Sequence, residues 1–111
     1  MHLAFELLIA PVATREALAH SIAFLQMDLA DAELRAHAVV QSREFRRRIR
    51  QILEAAAAAG ELTATDTDAL VQSVYTTYNG ALLTWVIDGS GGLARWMRRS
   101  LDATLAPYRP R

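Results

Sequence analysis

The chain has 111 residues, twelve acidic and twelve basic side chains, and no cysteine. That length supports one hydrophobic core and not two; the balanced charge removes the long-range field that draws nucleic acid or anionic membrane, and the missing thiols exclude disulfides, Cys-ligated zinc and a thiol nucleophile. With 52% hydrophobic residues, only five Gly and three Pro, and abundant Ala and Leu, residues 1–111 read as one all-α domain, a bundle of five to six helices.

The opening MHLAFELLIAP lacks a basic leader, carries Glu6 and meets Pro11 too early for a signal sequence or a membrane span, so a short helix is expected there. The longest uncharged apolar stretch, residues 81–87, is also far below spanning length, and a cytoplasmic protein without membrane contact is expected. Thr14 as N-cap and Glu16 in the first turn predict a second helix over about 15–28. Leu18, Ile22, Leu25 and Leu29 form its main stripe, while His20, Phe24 and Met27 make a second apolar face.

Asp31 can cap the next segment, which runs to Gly60, a residue suited to the left-handed position past a helix. Its second half has a clean stripe of Phe45, Ile49, Ile52, Leu53 and Ala56, with arginines opposite. Polar Gln41 and Ser42 interrupt the stripe, so residues 31–60 read as two helices or as a single kinked one. The cluster REFRRRIR reads as a solvated face with Glu44–Arg48 and Arg50–Glu54 pairs four residues apart, and not as a nucleic-acid patch.

Asp66 then caps a long helix to about Ile87, which closes at the loop DGSGG. Ser90 can cap the last helix, about 93–106, which has Leu93, Met97, Leu101 and Leu105 on one side and ends at Pro107. The long helix contains TTYNGALLTW, whose glycine costs about 1 kcal/mol relative to alanine. A broad arc from Leu70 to Val86 can supply the core, and Ser73, Thr77, Gly80 and Thr84 form a separate row of small side chains beside Leu83 and Ile87. Such a row lets another backbone approach closely. In the last helix Trp96, Ser100 and Ala103 widen the apolar face beyond one core contact, so these nine residues are the expected contact with a second copy of the chain. The alternative is that Gly80 packs against another helix of its own chain.

No catalytic arrangement is apparent, and no enzyme activity or cofactor is expected. GSGG at 89–92 reads as a turn. His2, His20 and His37 have no partner at metal-ligand spacing, so no metal site is expected either.

From FRRRIRQILEAAAAAGEL through TDALVQSVYTTYNGALLTWVIDG to LARWMRRSLDATLAP, the chain resembles the C-terminal half of a TetR/AcrR-type transcriptional regulator. The resemblance covers residues 43–106; residues 1–42 share only helical character. It implies a domain that dimerises through its last two helices and encloses a pocket for a small hydrophobic effector. The family's N-terminal helix-turn-helix has no counterpart here. The expectation is therefore the effector-binding and dimerisation domain of a TetR-like repressor, lacking its DNA-binding half: a homodimer that makes no DNA contact by itself. The alternative is a stand-alone helical interaction module that forms homo- or heterodimers without direct DNA binding. For the implied pocket, His20, Phe24 and Met27 together with Tyr75, Tyr78 and Asn79 are the candidate ligand-binding residues, with core packing of the two tyrosines as the competing reading.

Overall fold

The computed structural model describes residues 15–63 and 66–110. The short helix expected in the opening residues and its Thr14 neighbour lie outside them. Among the described residues there are four α-helices and no strand: α1 (Arg15–Ala30), α2 (Ala32–Ala58), α3 (Thr67–Asp88) and α4 (Leu93–Leu105), followed by a 3-10 turn at Ala106–Tyr108. The expected opening helix, which would make five, falls outside the described residues, and the sixth is not formed because residues 32–58 are one helix. No Pro or Gly lies between Asp31 and Gly60 to break it. Ser42 does not cap a new helix, since its hydroxyl donates to the Tyr75 hydroxyl at 2.7 Å.

Side-chain caps decide where two of the helices begin. Asp31 accepts from the amides of Glu33 and Leu34 at 2.9 and 3.2 Å, and Asp66 accepts from that of Ala69 at 3.0 Å, so each aspartate satisfies first-turn donors that would otherwise have no partner. α2 ends in a Schellman arrangement: Glu61 N–H donates to the Ala56 carbonyl at 2.8 Å and Gly60 N–H to that of Ala57 at 3.1 Å, with Gly60 at φ 77°. The expected Ser90 cap is not formed. α4 starts after Gly92, which offers no side-chain acceptor, because Gly91 at φ 75° turns the chain between Ser90 and the helix.

α3 and α4 pack as an antiparallel hairpin, and the C-terminal half of α2 closes the core against them. Ile49 and Met97 are fully buried, and Leu53, Ala56, Leu70, Val74, Ala81, Leu101 and Leu105 surround them. The segment after α2 is tied to the end of the chain by Thr63, whose amide and hydroxyl both donate to the Tyr108 carbonyl, at 2.7 and 2.9 Å. α1 lies against α2 and α3 as an outer layer, and none of its described residues is buried. At its start Arg15 donates to the Gly89 carbonyl and sits 5.0 Å from the Trp85 ring centre, which fastens α1 to the α3–α4 loop. No helix of the described residues is long and apolar enough to cross a membrane.

The arginines of α2 are mostly solvated, as expected, but their pairing differs. Glu44 meets Arg47 at 2.5 Å, one residue short of the expected Arg48, while Arg50 reaches both Glu54 at 3.9 Å and Asp68 of α3. Three- and four-residue spacings both bring side chains together on a helix, and the shorter one is used at Glu44.

Candidate functional site

Three helices border an open cavity of about 600 Å³. α1 contributes its main stripe, Leu18, Ile22, Leu25 and Leu29, which walls an open space. Leu25 and Leu29 are nearly half exposed, which places them at its mouth. α2 supplies Ala38, Val39, Ser42 and Arg46, and α3 supplies Tyr75, Asn79, Leu82 and Leu83. The volume and the balance of many apolar walls with few polar groups fall within the range of small-molecule sites.

The polar groups cluster where α2 meets α3. Ser42 donates to the Tyr75 hydroxyl, which leaves the phenol's own proton to be donated elsewhere. The Arg46 guanidinium lies 5.5 Å from the Tyr75 ring centre, and its Nε donates weakly to the Ser42 carbonyl at 3.4 Å. Asn79 donates one amide hydrogen to the Tyr75 carbonyl at 3.1 Å.

Of the residues expected to bind a ligand, Tyr75 and Asn79 line this cavity. His20, Phe24 and Met27 do not: they are exposed on the far side of α1, with Phe24 at 66% and Met27 at 68% of full accessibility. A turn of α1 can present only one of its two apolar faces to α2 and α3, and the leucine stripe takes that place. Tyr78 packs instead beside Phe45, ring centres 4.7 Å apart, next to the core. Ser42 and Arg46 were not singled out by sequence reasoning. Their signal was present as the interruption of the α2 stripe at residues 41–42, which reads as a helix break but marks the polar end of a cavity.

Burial raises the Tyr78 pKa above its ordinary value of 10.0. The folded chain therefore keeps the phenol proton after the unfolded chain has lost it. The resulting stability contribution is intact below the unfolded value and is lost as pH rises through the folded one. Urea melts across alkaline pH are expected to show wild type losing stability more steeply above about pH 10 than Tyr78→Phe, which has no proton to lose. Equal slopes would mean that the phenol is not desolvated.

α3 has a second face away from the cavity. Ser73, Gly80, Thr84 and Ile87 are exposed, and a Cβ built on Gly80 meets no heavy atom within 4 Å, so no described helix of the same chain packs against this glycine. Thr77 shares a 2.8 Å hydrogen bond with Thr104 of α4. Trp96 is half-buried and donates to the Ala81 carbonyl at 3.1 Å, which places it in the α3–α4 packing, while Ser100 donates to the Trp96 carbonyl and Ala103 is exposed beside it. Leu83 borders both faces, since it lines the cavity and is 45% exposed next to the glycine row. Among the described residues no group of three or more His, Asp and Glu side chains is placed to hold a metal.

A family model described as tetracyclin repressor-like, C-terminal domain, matches residues 21–101, most of the chain. No curated protein and no solved structure matches it.

Proposed function

Since the chain belongs to the family of tetracyclin repressor-like C-terminal domains, we propose that it is the effector-binding and dimerisation domain of a TetR-like transcriptional repressor acting in the cytoplasm. The observation that carries this reading is the division of α3 into three faces. Leu70, Val74 and Ala81 point into the core, Tyr75, Asn79 and Leu82 into the cavity, and Ser73, Gly80 and Thr84 into open space. A helix that only held a small domain together would need the first face alone. The cavity face receives a small effector, and the open face of α3, with Ala103 of α4, receives the same face of a second copy in a two-fold helical interface. Because α3 borders both sites, an effector that displaces Tyr75 or Leu82 acts on the helix that aligns the two subunits.

The test is the solution mass of the chain by light scattering over a concentration series. The expected result is a species of twice 12.3 kDa that dissociates on dilution. A monomer at every concentration would count against the open face as an interface, and with it against this reading of α3.

A further inference from the structure

We propose that the cavity is built for an apolar molecule carrying a carboxylate, with its tail among the α1 leucines and its acid group on Arg46. This rests on the reading of the cavity as a ligand site. The lining contains one formally charged side chain, Arg46, and no Asp or Glu. No carboxylate of the described residues lies within 4 Å of Arg46; Arg43 and Arg48 are likewise without an ion pair among them, but of these only Arg46 lines the cavity. Its guanidinium has five N–H donors. The weak Nε contact to the Ser42 carbonyl occupies one of them and leaves the two terminal nitrogens in a fork that matches the two oxygens of a carboxylate.

The neighbouring polar groups favour the same charge. Ser42 fills an acceptor position on the Tyr75 oxygen, so the remaining capacity of that phenol includes its proton, and Asn79 retains one amide hydrogen beyond the bond to the Tyr75 carbonyl. Donors thus converge at the α2–α3 end of the cavity. Arg46 also borders a shallow surface groove with Arg43, Arg47, Arg50 and Asp68, in which Arg47 and Arg50 are already paired with carboxylates. An ammonium group placed here would meet a cation with no anion to offset it. An alcohol offers one uncharged oxygen where the fork is matched by two charged ones. At the other end Leu18, Ile22, Leu25 and Leu29 offer no polar atom beyond their backbone, which suits a hydrocarbon tail or an aromatic ring.

Calorimetric titration of the intact chain with decanoate, decanol and decylamine separates the charge from the tail. Decanoate is expected to bind roughly tenfold or more tighter than decanol, and decylamine more weakly than either. Arg46→Gln keeps hydrogen-bonding capacity at a half-buried position and should lower decanoate affinity to about the level of decanol, with a much smaller loss for decanol. Filling the cavity by Ile22→Trp should abolish binding of both, with the helical signal of each variant checked by circular dichroism. If decanol binds as well as decanoate, or if Arg46→Gln leaves decanoate unaffected, the carboxylate preference is wrong while the cavity stands as a ligand site. Should none of the three bind, or should decanoate binding survive Ile22→Trp, the reading of the cavity as a site falls and the preference falls with it.

Discussion

Ile49→Ala is expected to destabilise the domain by about 2–5 kcal/mol, the range for truncating a fully buried aliphatic side chain. Ile49 has no exposed surface and sits where α2 meets the α3–α4 hairpin, in one cluster with Leu53, Leu70, Val74 and Met97. Removing three carbons there loses the transfer energy of those atoms and leaves a void that two helices must collapse to fill. Against a total stability of roughly 5–15 kcal/mol for a domain of this kind, the loss is large enough to unfold a sizeable fraction of the chain on warming. Val40→Ala, on the exposed part of the same helix, should change stability by less than about 0.5 kcal/mol. Both are read from urea unfolding followed by circular dichroism at one fixed protein concentration, because association would otherwise shift the midpoint. A cost below about 1 kcal/mol for Ile49→Ala would show that α2 is not held by this cluster.

Two substitutions of Gly80 should act in opposite directions on folding and on assembly. Gly80→Ala removes the intrinsic cost of glycine in a helix and meets no heavy atom within 4 Å, so the monomer should gain about 1 kcal/mol. Gly80→Leu also has room in the single chain and should fold, yet its side chain would stand between α3 and an approaching copy. The proposed dimer should then weaken by roughly a hundredfold or more, as expected when close helix packing is blocked by a bulky group. Sedimentation of the two variants beside wild type distinguishes the effects. A Gly80→Leu chain that is folded and monomeric where wild type is dimeric supports the interface, and an unchanged dimer removes Gly80 from it.

The helical class and most helix ends were legible because they depend on local chemistry. Asp31 and Asp66 have carboxylates within reach of amides two or three residues on, and Gly60 tolerates the positive φ that ends α2. The stripe Ile49, Leu53 and Ala56 and the arc beginning at Leu70 identified core positions because their spacing follows the helical repeat. What local chemistry does not specify is which of two apolar faces on one helix meets a neighbour. The chain carries Phe24 and Met27 on one side of α1 and Leu18, Ile22 and Leu25 on the other, and both have the period of a buried stripe. Periodicity likewise does not distinguish a stripe that packs from a stripe that walls a void. The polar pair Gln41 and Ser42 was ambiguous for the same reason, since a hydroxyl amid apolar neighbours can cap a helix or face a tyrosine 33 residues away, and only the tertiary arrangement selects between them.

In mechanical terms the unbroken α2 is a beam clamped at one end. Its burial begins at Ile49, and no residue from 32 to 48 is buried, so the first two-thirds overhang the clamp with α1 laid along them. Arg46 and Ser42 sit at the edge of the fixed part, where Phe45 and the Ser42–Tyr75 bond still tie α2 to α3 and where a cantilever bends most easily. At 1.5 Å per residue the free tip at Ala32 is roughly 20 Å from Arg46, and a deflection of ~10° there would swing it by roughly 4 Å. With no proline or glycine along the beam, little of that displacement is absorbed on the way. A small molecule that pushed on the fulcrum would therefore be registered as a much larger stroke at the turn between α1 and α2.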